Sequence, residues 1–331
     1  MSLIGLGFVG LLILILLRNL VHDPSEFFNV FFIGLTTGAV YALVALGYTL
    51  VYGILTLINF AHGDVFALTG LISWTIMVDL LKLQGGDAAL VITGGLLLTI
   101  LLTMVAGAGL NTTIELLAYR PLRNHPRLSV LITALGMSFI VQNVSLVIYD
   151  VNFHGAPSIL PQRAAFTIGE VVYPWNKLAI VLITIPVLIA LTWFVRSTRQ
   201  GKAMRAVSQD QDAAAMMGIN VNRTISLTFT LAGALAGAAG VLFLLQFNMR
   251  YDTGFQLGLI AFTAAVLGGI GNLTGAVLGA VLIGLIQAFN EGLELWVAGS
   301  DWTRSIVFAI LIAILVFRPE GILGERTPEG G

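Results

Sequence analysis

The sequence predicts an all-α polytopic membrane protein, and three observations carry that prediction. Hydrophobic residues make up 57% of the 331 residues and charged residues only 10%, against roughly 25% charged in soluble proteins. Mean hydropathy is +0.96. The apolar residues also gather in runs of about 20, the length an α-helix needs to cross a hydrocarbon core. A soluble fold of this size has too few charges here to cover its surface, whereas a bilayer hides the remainder.

Candidate spans lie near 3–21, 27–55, 58–81, 88–110, 128–149, 178–195, 224–247, 258–271, 274–290 and 305–317. About ten transmembrane segments are expected. Eight plus a re-entrant pair is the alternative, because 258–290 is short and joins at Gly268, Gly269, Gly271 and Gly275. The first run begins at Leu3 with no basic residue before it, and its first charge is Arg18. It reads as a retained helix rather than a cleaved signal peptide. Residues 1–26 are then an extra hydrophobic helix and linker, 27–324 one membrane domain, and 325–331 a cytoplasmic tail.

Basic residues set the orientation. They cluster at Arg120, Arg123 and Arg127, at Arg196, Arg199, Lys202, Arg205 and Arg223, and at Arg318 with Arg326. The positive-inside rule places these segments, and both termini, in the cytoplasm. Arg18 then falls outside, against the trend. The outer insertion at 150–177 carries Pro157, Pro161 and Pro174 and reads as an irregular loop. Spans two to five begin outside and spans seven to ten inside. That parity fits an inverted repeat, although the two halves show no convincing sequence match.

The inner loop from Arg199 to Arg223 mixes small and apolar residues (Ala203, Ala206, Ala213, Ala214, Met216, Met217) with Arg205, Asp210 and Asp212, punctuated by Gly201 and Gly218. A short amphipathic helix there either lies on lipid headgroups or docks in a groove of a cytoplasmic partner. Interleaved acidic residues favour docking, since headgroup-bound helices are usually strongly basic.

The run TLINFAHGD, Thr56 to Asp64, interrupts the apolar stretch with Asn59, His62 and Asp64. A central Asp costs about 2.5–3.5 kcal/mol on translocon scales, so these groups need a protein interior, a watery cavity or a headgroup level. Gly63 weakens the helix and permits an irregular turn. One reading is an ordinary cytoplasmic turn, across which His62 and Asp64 pair. The other is a broken helix that meets a charged or zwitterionic solute. Upstream, Gly34, Thr36, Thr37, Gly38 and Tyr41 form a small, hydroxyl-bearing patch. Gly233 with Gly237, and Gly271 with Gly275 and Gly279, sit at the four-residue spacing that lets helices approach closely.

Several chemistries are excluded or disfavoured. There is no cysteine, and the four histidines are scattered without metal-ligand spacing. No basic stretch follows a phosphate backbone, so no nucleic-acid partner is expected. No Walker A motif occurs, since Gly201-Lys202 lacks the upstream glycine. No paired intramembrane carboxylates suggest a proton relay, and no nucleophile–base arrangement suggests an enzyme.

The run GLTTGAVYALVALGYTLVYGILTLINFAHGD, Gly34 to Asp64, closely resembles LivH-type permeases of binding-protein-dependent ABC importers for branched-chain amino acids. AYRPLR (Ala118 to Arg123), GKAMRAVSQDQDAAAMMGIN (Gly201 to Asn220), LAGALAGAAGVLF (Leu231 to Phe243), AFTAAVLGGIGNLTGAVLG (Ala261 to Gly279) and RPEGILG (Arg318 to Gly324) resemble the family in the same order. The first helix and the loop near 150–177 lie outside the well-matched part.

The resemblance implies a type II-like importer permease in a bacterial plasma (inner) membrane. It implies a homologous LivM-like second permease, two cytoplasmic ATPase subunits and an extracytoplasmic binding protein. ATP and Mg would bind on those ATPases, with no cofactor on this chain. Thr37, Tyr41, Asn59, His62, Gly63 and Asp64 become candidates for the translocation pathway. Gly201, Arg205, Ala206, Asp210 and Gly218 become candidates for ATPase coupling, and Gly233, Gly237, Gly271 and Gly275 for helix packing. The cargo stays open between hydrophobic amino acids and urea or short amides, which related permeases carry. An ion-coupled carrier is the alternative of a different class.

Overall fold

Alternating apolar runs and glycine-rich joins fold into antiparallel helices. The structure, a computed structural model, describes residues 3–55, 57–123, 125–156, 158–160, 163–294 and 299–324. The helices are α1 (Leu3–His22), α2 (Pro24–Leu55), α3 (Ala61–Thr75), α4 (Ala89–Ile114), α5 (Arg127–Tyr149), α6 (Trp175–Ser197), α7 (Arg199–Gln209), α8 (Gln211–Met216), α9 (Val221–Leu244), α10 (Thr253–Gly268), α11 (Leu273–Gly292) and α12 (Thr303–Phe317). π turns extend α3 over Ile76–Leu80 and α4 over Glu115–Tyr119. The proposed tail at 325–331 with Arg326, and Thr56, Pro157 and Pro161, lie outside the described residues.

Each of the ten candidate spans coincides with a helix, and α7 and α8 are added in the inner loop. Eight helices among the described residues are long and apolar enough to cross a bilayer. The shorter α10 has 16 residues, about 24 Å at 1.5 Å per residue. It reaches the basic end, where Gly269 meets Gly324 and the Ile322 amide donates to the Leu267 carbonyl at 2.8 Å. Positive φ at Gly269 (108°) and Gly271 (93°) then turns the chain into α11. Residues 258–290 are therefore two successive antiparallel helices.

The central helices α2, α3 and α9 are mostly buried, whereas α4, α5, α6 and α12 turn residues such as Leu101, Ile132, Ile189 and Leu315 outward. Small residues set the closest approaches. A Cβ on Gly38 would sit 2.8 Å from the Val281 Cα, and one on Gly34 2.9 Å from the Leu285 Cα, so α2 lies directly against α11. Gly233 and Gly237 meet Gly107 and Thr103 in the same manner, seating α9 on α4. Gly271 departs from the expected packing stripe: it lies in the turn before α11 with open space around it, while Gly275 packs on Gly268.

These contacts repeat under exchange of α2–α5 with α9–α12. The α2–α11 pair matches α9–α4, α3–α9 matches α10–α2, and α3–α5 matches α10–α12. The α3–α10 and α2–α9 crossings map onto themselves, which marks a pseudo-twofold axis through them. Helix pairing thus supplies the repeat that parity suggested and residue identity does not display.

The outer insertion is more ordered than an irregular loop. Strands β1 (Ala164–Ile168) and β2 (Val171–Pro174) pair antiparallel. The Tyr173 hydroxyl hydrogen-bonds Thr36 of α2 at 2.6 Å. β-branched and aromatic residues favour the strands, and the prolines masked that signal in the sequence.

Candidate translocation and coupling sites

The α2–α3 break covers residues 57–60 and lies inside the protein. Asn59, His62 and Asp64 are 2%, 0% and 1% exposed, so the segment is not an ordinary surface turn. The Asn59 Oδ1 accepts from the Tyr119 hydroxyl at 2.7 Å, and its Nδ2 donates to the Asn111 Oδ1 at 3.3 Å. Asp64 accepts from Ser138 and from the Gln142 Nε2, the latter at 3.0 Å. It also sits in the first turn of α3, where the helix dipole favours negative charge.

His62 does not pair with Asp64. Its ring meets Tyr48 edge-on at 4.8 Å and fills the notch over Gly47, where any Cβ would overlap the imidazole. Gly63 is not an irregular turn either. It is helical, and it lets the first turns of α3 and α10 cross, because a Cβ there would strike the Gly254 carbonyl and lie 2.8 Å from the Gly258 Cα. Two helix N-termini therefore meet beside the break. Tyr48, Tyr52, Ile58, Phe262, Ala265 and Ile270 line a narrow crevice between α2, the break and the C-terminal half of α10.

Thr37 and Tyr41 are buried but stand apart from this group. The Tyr41 hydroxyl donates to Gln287 of α11 at 2.8 Å, and Gln287 donates to Glu291 at 3.1 Å. The structure gathers Asn59, His62, Gly63 and Asp64 and leaves Thr37 and Tyr41 on the α2–α11 contact.

In the inner loop, four of the five coupling candidates shape the segment. Thr198 caps α7 through the Gly201 amide at 3.0 Å, and Gly201 lies tight beneath the Val195 carbonyl. Arg205 donates to that same carbonyl. Asp210 caps α8, accepting from the Asp212 and Ala213 amides at 2.9 Å each, and Gly218 ends it at φ 83°. Ala206 is half-buried. Met204 and Val207 anchor α7 in the core, whereas Met216 and Met217 are each 83% exposed. The pair is an exposed apolar group on this loop.

Sequence reading passed over Glu115. It falls five residues beyond the expected end of span four, at 110, yet it is fully buried. It accepts from Arg123 and, at 2.6 Å, from Ser226 of α9. Arg123 also donates to Asn222 at 2.8 Å. Burial lowers the Arg123 pKa, and the Glu115 carboxylate works against that shift. An ionisable residue five positions past an apolar run is itself a signal for such a pair.

The architecture defines a class: a multi-pass helical membrane protein with two inverted halves and a folded loop between α6 and α9. The family model for the branched-chain amino acid transport system permease component matches residues 30–315, and the chain belongs to that family. It is a permease component, a transport subunit rather than an enzyme. The chain is 40% identical over 301 residues to the high-affinity branched-chain amino acid transport system permease protein BraD of Pseudomonas aeruginosa, covering 89% of this chain and 95% of the relative. It is 36% identical over 310 residues to LivH of Escherichia coli K12, covering 92% and 97%. It is 29% identical over 292 residues to a probable LivH of Methanocaldococcus jannaschii, covering 85% and 88%. No solved structure matches the chain.

Proposed function

We propose that this chain is the permease subunit of an ATP-driven, binding-protein-dependent importer of branched-chain or other hydrophobic amino acids in the bacterial plasma membrane. The observation that carries the reading is the 40% and 36% identity to BraD and LivH over nearly the whole chain. A LivM-like second permease completes the path, two ATPase subunits holding ATP and Mg dock on the inner loop, and a binding protein delivers substrate outside.

The site supports amino acids over urea. The first turn of α3 is positively polarised and suits a substrate carboxylate, and the relatives named above belong to transport systems whose substrates also carry a branched side chain. Urea has neither group. Asn59, His62, Gly63 and Asp64 form the polar part of the path, and Thr37 and Tyr41 the hydroxyl-bearing approach to it. ATP binding closes the ATPase pair, the loop over 199–223 carries that movement, and the permease pair opens outward. Hydrolysis resets it. Affinity resides mainly in the binding protein, because a tight site inside the path would slow exit.

The test is uptake of labelled leucine and of labelled urea into proteoliposomes holding the assembled complex. Leucine uptake that needs both ATP and binding protein is expected. Urea uptake under the same conditions would change the cargo. Gradient-driven uptake by this chain alone would make it a secondary carrier.

A further inference from the structure

One face of the end of α4, its π extension and the 3-10 turn over Arg120–Leu122 that follows carries Asn111, Glu115, Tyr119 and Arg123, each four residues from the next. In an α-helix such a step drifts by about 40°. The π turn over Glu115–Tyr119 winds more widely and offsets part of that drift, keeping the four on one side. All four are tied to other elements. Arg123 holds Asn222, and Glu115 holds Ser226, both in the first two turns of α9. Asn111 donates to the Phe229 carbonyl at 2.8 Å, one turn further on. Tyr119 and Asn111 both bond Asn59, inside the α2–α3 break.

The start of α9 is where the chain re-enters the helical core directly after α7 and α8. One polar strip thus connects the end of the docking loop to the helix break, running from the exposed Asn222 through Arg123 to the buried Glu115, Tyr119, Asn111 and Asn59. A buried ion pair such as Glu115–Arg123 seldom adds net stability over apolar packing. What it supplies here is fixed geometry between α4 and α9.

We propose that this strip on α4 is the positioning relay that couples movement of the ATPase-docking loop to the α2–α3 break. Glu115 and Arg123 grip the start of α9, and Tyr119 and Asn111 pass its position to Asn59. The proposal rests on the importer reading above. None of the four touches substrate; they act on the break through Asn59.

Tyr119→Phe removes one hydroxyl and keeps the ring against Phe229, whose centroid lies 5.5 Å away. In the assembled complex, basal ATPase activity and subunit content should be unchanged. Leucine transported per ATP hydrolysed should fall roughly two- to thirtyfold, the span of coupling effects in such networks. Glu115→Gln, which keeps the side-chain shape, should uncouple in the same sense. Combining Tyr119→Phe with Asn59→Ala should be no worse than Asn59→Ala alone, since both cut one link.

A purely structural role would lower assembly and leave the transport-to-ATP ratio intact, and that result would overturn the relay. So would a wild-type ratio in Tyr119→Phe, or additive losses in the double variant. A wild-type complex without ATP-dependent uptake would overturn the importer reading and the relay together. A coupled wild type with equally coupled variants would overturn the relay alone.

Discussion

Asp64 lies in the first turn of α3 and holds Ser138 and Gln142 of α5. Asp64→Ala leaves both donors without their acceptor, at about 1–3 kcal/mol for each group left buried and unsatisfied. Asp64→Asn keeps an acceptor. Uptake normalised to assembled complex should therefore fall strongly in the alanine variant and less in the asparagine one. Full uptake by Asp64→Ala would remove this residue from the translocation machinery. His62 makes a different demand, since its ring exists only where Gly47 leaves room, so residues fifteen positions apart in the chain specify one another.

Among the elements, α7 and α8 show how a loop acquires a fixed shape, the one we propose for ATPase docking. Caps at Thr198, Asp210 and Asn220 stop and restart helices within a short stretch, and Met204 and Val207 pin α7 to the core. Arg205 spends its guanidinium on the Val195 carbonyl. Charge reversal there is expected to uncouple transport while leaving membrane insertion intact, but it disturbs the loop's seat as well. Met216 and Met217 separate the two effects, because they stand free of the core. Replacing both with serine should weaken ATPase association more than tenfold, given about 1.5–3 kcal/mol for each buried methionine. Co-purification of the ATPase subunits reads the outcome. Undiminished association would move the docking surface to the polar face of α7.

At the scale of the molecule, two inverted halves cross at α3 and α10, and the basic clusters collect at one end. Arg196 bonds Thr274 at 3.0 Å, Asn272 bonds the Leu323 carbonyl at 2.8 Å, and Arg123 bonds Asn222 at 2.8 Å, so the three basic clusters share that end with the α10–α11 turn. The β1–β2 hairpin and the His154–Met249 bridge occupy the other. Because the chain contains no cysteine, single cysteines report sidedness without background. A membrane-impermeant maleimide should label Ile168→Cys in intact cells, and Met216→Cys only after permeabilisation. The reverse pattern would invert the orientation and place the docking loop outside.

Hydropathy along the chain suffices for the helical membrane class and the ten apolar segments, because lipid solvation acts on local stretches of residues; the positive-inside bias supplies the orientation to be tested. The family resemblance is likewise carried by contiguous runs. Depth and partnership are decided elsewhere. Whether Asn59 to Asp64 is a surface turn or a buried break depends on α4, α5 and α10 closing around it, and no local pattern encodes that. Gly271 and Gly275 share a spacing with Gly233 and Gly237, yet Gly271 turns the chain while the others seat helices. Glu115 reads as a loop residue until α9 arrives beside it. A helix segment carries its own hydrogen bonds and lipid-facing stripe in its sequence, but a buried polar group takes its meaning from partners a hundred residues away.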